Sequence, residues 1–136
     1  MNKLFIFCLT LVCSLGFSLN SNAALNKKDE AKLYEVFAYY FVQEENYKQA
    51  IEEYKKVIVC DPLNTKAIYN LGLVYVKINN FNEAIEEFKK ILILEDKDLT
   101  ADSLYNISVV YGKYLNDTQK SQEYYQKYKE VTGYDQ

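Results

Sequence analysis

From residue 28 onward, apolar side chains recur at spacings of three and four, the period of a helix that buries one stripe. Leu33, Val36, Phe37, Tyr40 and Phe41 place the first such helix over 28–43, and Glu44-Glu45-Asn46 breaks its pattern. A second spans 47–60 and stops at Asp61-Pro62, since proline cannot donate the next backbone bond. Helices over 65–78 and 81–94 repeat the arrangement, with Asn79-Asn80 as the turn. A looser third pair covers 100–114 and 118–131 and is ended by Gly133. Glycine is scarce and Pro62 is the single proline, so long helices meet few interruptions. With no strand alternation and no long polar linker, the pattern predicts an all-α fold of six helices.

Two of these helices are nearly the same peptide. Ala50-Ile-Glu-Glu-Tyr-Lys-Lys-Val-Ile58 returns 34 residues later as Ala84-Ile-Glu-Glu-Phe-Lys-Lys-Ile-Leu92. Such a period marks a unit that buries its apolar face by stacking on copies of itself. The Glu-Glu and Lys-Lys runs set opposite charges at i,i+3 and i,i+4, as on a solvated outer face. Small residues at Ala38, Gly72 and Ser108, and at Ala50, Ala84 and Ser121, let the two helices of a pair lie close. Tyr54 and Phe88 are expected to fill the space between neighbouring pairs. Gly72 in a helix interior costs about 1 kcal/mol against Ala, which close approach must offset.

The spacing within each pair resembles the tetratricopeptide repeat, over roughly residues 30–131. The second unit carries the pattern best, with Ile68, Leu71, Gly72 and Tyr75, then Ala84 and Phe88. The first has Tyr34, Phe37, Ala38 and Phe41, then Ala50, Tyr54 and Pro62, which stands where the family places its proline. In the third, Leu104, Ile107, Ser108 and Tyr111 match the first helix. Ser121 and Tyr125 match the second only with extra residues, and Asp96 replaces the proline of unit two. The resemblance implies a right-handed solenoid of three units, at about 31–64, 65–98 and 101–131. The hydrophilic last helix would close it, and its tyrosines can bury rings while keeping hydroxyls wet. The run 36–41 is too apolar for one stripe of an exposed helix, so it meets a partner or pairs two copies.

In this family the first helices line a concave groove. The groove-facing positions carried onto this chain are Lys32, Glu35, Tyr39 and Gln43; Lys66, Tyr69, Asn70, Leu73 and Lys77; and Tyr105, Asn106, Val109 and Lys113. Tyrosines offer large, stiff contact area and asparagine amides can bond a peptide backbone. The equivalent pairs Tyr69-Asn70 and Tyr105-Asn106 suggest a ladder of similar contacts. Chaperone-binding members grip a C-terminal carboxylate with Lys and Asn, then Asn, then two basic residues. Here those places hold Glu35, Tyr39, Asn70, Asp102 and Asn106, and one match in five is not a clamp.

The first 23 residues have another character. Met1-Asn2-Lys3 precedes an apolar run to Phe17, and Ser21-Asn22-Ala23-Ala24 offers small side chains for cleavage after Ala23. This is the pattern of a secretory signal peptide. The run is about 14 residues, short of the roughly 20 a membrane span needs, although an uncleaved anchor is the alternative. Cys13 follows Leu11 and Val12 instead of the small residue a lipidation site wants. Residues 24–136 would form the mature domain, secreted or periplasmic. Its charge is 15 lysines minus 19 acidic residues, or −4, against the basic face a nucleic-acid binder needs. Any membrane contact would come through an uncleaved leader or a partner. Of three cysteines only Cys60 survives cleavage, leaving no internal disulfide. It packs near a helix end or serves an intermolecular bridge.

Catalytic chemistry finds little footing. With no histidine, Ser-His, Cys-His and His-metal sites are excluded, and no Gly-rich phosphate loop exists. No cofactor or metal is expected. The main reading is a non-enzymatic adaptor that binds a peptide segment of an envelope or secretion component in the groove. The alternatives are a structural subunit docking through its apolar first helix, a homo-oligomer, part of a longer array completed by another chain, and, last, a carboxylate-based hydrolase. Sequons at Asn106 and Asn116 matter only in a glycosylating host.

Overall fold

The computed structural model describes residues 26–134; the expected leader and cleavage position, with Cys8 and Cys13, lie outside them. Six helices follow in order: α1 (Lys27–Gln43), α2 (Tyr47–Cys60), α3 (Thr65–Lys77), α4 (Phe81–Leu94), α5 (Thr100–Val109) and α6 (Thr118–Thr132). Between α5 and α6 the chain makes a π-helical turn, Val110–Tyr114. Three-residue turns join α1 to α2, α3 to α4 and the π turn to α6, which sets each pair antiparallel. Contacts run within each pair and then from α2 to α3 and from α4 to α5, so stacking order is chain order.

Asparagine starts the helices. The side chains of Asn26, Asn46 and Asn64 accept from the backbone N–H three residues on, at 3.0, 3.4 and 3.0 Å, and Asp117 does so for α6 at 3.0 Å. Each satisfies a donor the helix itself cannot pair. The middle residue of each intra-pair turn, Glu45, Asn79 or Asn116, has a left-handed backbone with φ of 55°, 62° and 54°. Asparagine tolerates that conformation better than glutamate.

Close packing within the pairs follows the small residues. Ala38, Ala50 and Ala84 are fully buried. A Cβ added to Gly72 would lie 2.7 Å from Phe88 Cε1. Phe88 thus seats on Gly72 of its own pair, where the spacing alone placed it between pairs. The third pair differs. Twelve residues separate Ala38 from Ala50 and Gly72 from Ala84, but thirteen separate Ser108 from Ser121. The π turn absorbs the extra residue. There the Ser121 hydroxyl donates to the Ser108 carbonyl at 2.9 Å, and a Cβ on Gly112 would meet Ser121 Oγ at 2.6 Å. Gly112, unremarked in the periodicity, is a close-approach glycine of this pair.

The repeated charges form i,i+3 pairs on the outside: Lys56–Glu53 at 2.6 Å, Lys89–Glu86 at 3.0 Å and Lys90–Glu87 at 2.7 Å. Exposed pairs of this kind add little stability.

Asp96 does what a proline cannot. One carboxylate oxygen accepts from the N–H groups of Asp98 and Leu99 at 3.0 and 2.9 Å, capping the turn that leads into α5. The other accepts from the Thr65 hydroxyl at 2.6 Å, tying that turn to the start of α3. The Thr65 bond first, then the Leu99 N–H, holds the Asp96 carboxyl below its ordinary value, with Asp98 and Lys66 adding to it. A depressed carboxyl stabilises the fold above its unfolded-state value and loses that contribution as pH falls through the folded one. Losing these capping hydrogen bonds in Asp96→Ala should cost about 0.5–2 kcal/mol at neutral pH. The variant's melting temperature should also converge on that of the parent as the solution is acidified. A constant gap across pH 2–7 in paired thermal melts would show that the ionised carboxyl is not what matters.

Candidate peptide-binding groove

The thirteen positions expected to face a groove all reach the surface. Lys32, Tyr39, Gln43, Lys66, Leu73, Lys77, Tyr105 and Lys113 are exposed; Glu35, Tyr69, Asn70, Asn106 and Val109 are half-buried. The half-buried members join one unit to the next. The Asn106 amide donates to the Tyr69 hydroxyl at 2.9 Å across the joint between α5 and α3. Burial raises the Tyr69 pKa, the Asn106 bond pulls the other way, and the Asp102 charge raises it further. One joint earlier, Tyr54 of α2 is pushed up by burial and by Glu35, while a hydrogen bond from Asn70 acts against them.

Asn106 is thus engaged with the tyrosine hydroxyl of the preceding unit, so the anticipated ladder is partly internal. That amide retains unused hydrogen-bonding capacity, since a carboxamide offers two donors and two lone pairs. Periodicity could not reveal the Tyr69–Asn106 bond, which spans 37 residues and needs α3 and α5 brought side by side.

Aromatic packing fixes the larger side chains. The Tyr69 ring lies 5.6 Å from that of Phe88, so a buried core residue supports it from beneath. Tyr105 rests against Tyr128 of α6 at 5.5 Å. Among the groove lysines, Lys113 stands 5.2 Å over the Tyr114 ring and Lys32 is 3.9 Å from Asp29. Among the described residues, Lys66 and Lys77 form no salt bridge, although the Lys66 charge acts on Asp96. The thirteen positions themselves hold four lysines against one carboxylate, Glu35, with Asp29 beside Lys32, Asp96 near Lys66 and Asp102 near Tyr69, in a chain whose formal charge is −3.

Other groups offer less. Cys60 is half-buried at the end of α2, and its thiol donates to a Glu30 carboxylate oxygen at 3.8 Å. Burial, then the Glu30 charge, raises its pKa and disfavours the reactive thiolate. Among the described residues, no three His, Cys, Asp or Glu side chains stand together as metal ligands, and no helix is long and apolar enough to cross a membrane.

A model of the TPR repeat matches residues 38–79, and one of the tetratricopeptide repeat matches 65–97 and 101–132. Among curated proteins nothing matches. Several solved structures share the fold. A crystal structure of MamA is 20% identical, with a TM-score of 0.70 over 77% of this chain and 60% of its own, so the chain spans about three-fifths of that relative. The N-terminal domain of stress-induced protein-1 (STI-1) from C. elegans is 21% identical, with a TM-score of 0.73 over 82% of this chain and 88% of that domain. The second TPR of Spaghetti (RPAP3), solved bound to an HSP90 peptide, is 18% identical, with a TM-score of 0.66 over 77% of this chain and 96% of that one.

Proposed function

The chain belongs to the tetratricopeptide repeat family, a fold whose role is protein–protein interaction, and from that premise we propose that it is an adaptor holding an extended, acidic peptide segment along α1, α3 and α5. The observation that carries this reading is the Tyr69–Asn106 bond, which joins the first helices of two units into one continuous polar face. Exposed Lys66, whose charge also acts on Asp96, and Lys77 flank that face with no salt bridge among the described residues, and a carboxylate-rich segment would supply one. The RPAP3 domain bound to its peptide shows that this fold can take a peptide. Glu35 and Asp102 stand where chaperone-binding relatives place basic or amide groups, so a terminal-carboxylate clamp is not the mode proposed. The leader supports a secreted or periplasmic setting, and with it a partner from the cell envelope or the secretion machinery.

In-cell photo-crosslinking tests this. A probe at Tyr69 in the full-length protein, with exposed Glu52 on the outer face of α2 as control, should trap one partner at Tyr69 alone. The captured segment should be acidic. Equal capture at both sites, or none at Tyr69, would remove the groove as the working surface.

A further inference from the structure

The two joints of the stack differ in how firmly they close. Ala67, Leu71 and Val74 of α3 are buried at the first, and Ser103, Ile107 and Val110 hold the corresponding places at the second. Ala67 and Ser103 are both 0% exposed, but the Ser103 hydroxyl oxygen has no hydrogen-bond partner. A polar atom buried unpaired penalises the state that buries it. The links differ too. Residues 61–64, which join α2 to α3, contain Pro62, whose fixed φ stiffens them. The five residues 95–99, which join α4 to α5, contain no proline and begin at Glu95 in a left-handed conformation, φ 53°. Beyond this link α6 contributes no buried residue, whereas α4 contributes Ala84, Ile85, Phe88 and Ile91. An open cleft of about 480 Å³ is lined by Leu92 of α4, Glu95 and Lys97 of the link, Thr100 of α5 and Val131 of α6.

We propose that α5 and α6 swing away from the first two units together, about the link 95–99, before the rest of the stack unfolds. The pair holds together by itself. Ser121 donates to the Ser108 carbonyl and sits against Gly112, and Tyr111 stacks on Tyr124. Opening releases the Ser103 hydroxyl to water and breaks the Asn106–Tyr69 bond across the joint. It also carries Tyr105, Asn106 and Val109 off the surface they share with Tyr69, so the continuous polar face exists only while the third unit is docked. A segment touching both α3 and α5 would hold the joint closed, by binding one state better than the other. That consequence rests on the groove reading; the opening itself does not.

Hydrogen exchange of the full-length protein, followed segment by segment by mass spectrometry, tests the swing. Amides of α5 and α6 should share one opening and exchange at least about tenfold faster, relative to their intrinsic rates, than those of α3 and α4. Ser103→Ala installs the residue that α3 carries at the same place, Ala67, and should leave the protein folded with a melting temperature at or above the parent's. It should slow exchange at least about fivefold in α5 and equally in α6, because both open through the joint that it repairs. If α6 merely frays, Ser103→Ala leaves α6 exchange unchanged, and the proposal fails. It fails equally if α5 is as protected as α3, or if all six helices exchange through one common opening.

Discussion

Phe88→Ala is expected to lose about 3–5 kcal/mol of stability, the cost of emptying a large buried aromatic site. Against a total of about 5–15 kcal/mol for a domain, that is a large share. At roughly 4–8 °C per kcal/mol for a small domain, the midpoint should drop by at least about 12 °C in a thermal melt followed by circular dichroism. The magnitude follows from where the ring sits. Phe88 is 0% exposed, presses on Gly72 and underlies Tyr69, so no neighbour can collapse into its place without opening a joint. Gly72 supplies the internal check. Gly72→Ala gains about 1 kcal/mol of helix propensity. Its new Cβ, 2.7 Å from Phe88 Cε1, should outweigh that gain with an overpacking cost of about 1–3 kcal/mol. In the Phe88→Ala background the clash is gone, and the same change should become neutral or stabilising. If the two substitutions prove additive in a double-mutant cycle, Phe88 does not press on Gly72.

The second large effect concerns binding. Against the acidic segment captured by crosslinking, Tyr69→Ala should weaken affinity by about 2 kcal/mol or more, roughly thirtyfold, as for a central aromatic anchor. Tyr69→Phe separates two roles. It keeps the ring on Phe88 and removes the hydroxyl that Asn106 bonds, so it should recover most of the affinity if contact area is what counts. Lys66→Glu should weaken binding at low salt and much less at high salt, where exposed charges are screened. Isothermal titration with each variant, beside its melting curve, distinguishes lost contacts from lost fold. Unchanged affinity for folded Tyr69→Ala would sink the groove reading even if a partner had been trapped nearby.

Much of this architecture could be read from the chain because its signals are local. The stripes of α1 to α4 predicted their bounds to within a residue, and the recurring nonapeptide fixed the stacking unit. The third unit was legible only in outline. Its extra residue could have lain in the loop or in the helix, and only the packing of Gly112 on Ser121 shows that the helix widens into a π turn. Groove positions were legible as surface positions, yet their polar partners were not. Asn70 and Asn106 look alike in sequence, yet the Asn106 amide meets the Tyr69 hydroxyl of α3 only through the geometry of a joint. Asp96 showed in sequence only as a missing proline, since its role depends on Thr65, 31 residues away.

The stacked tyrosines of the third unit have an optical consequence. The chain has no tryptophan, so its near-ultraviolet absorption belongs mainly to tyrosine. Tyr111 and Tyr124 lie with ring centres 5.7 Å apart and planes 23° from parallel, and Tyr128 meets Tyr105, Tyr125 and Tyr134 around it. Rings held this close in a chiral setting add strongly to the near-ultraviolet dichroism. That band is therefore weighted toward the last helix pair, while the far-ultraviolet signal is weighted by helix length across the described helices. Comparing the two during unfolding reads, without any label, whether the solenoid opens as one body or begins to unzip at one end.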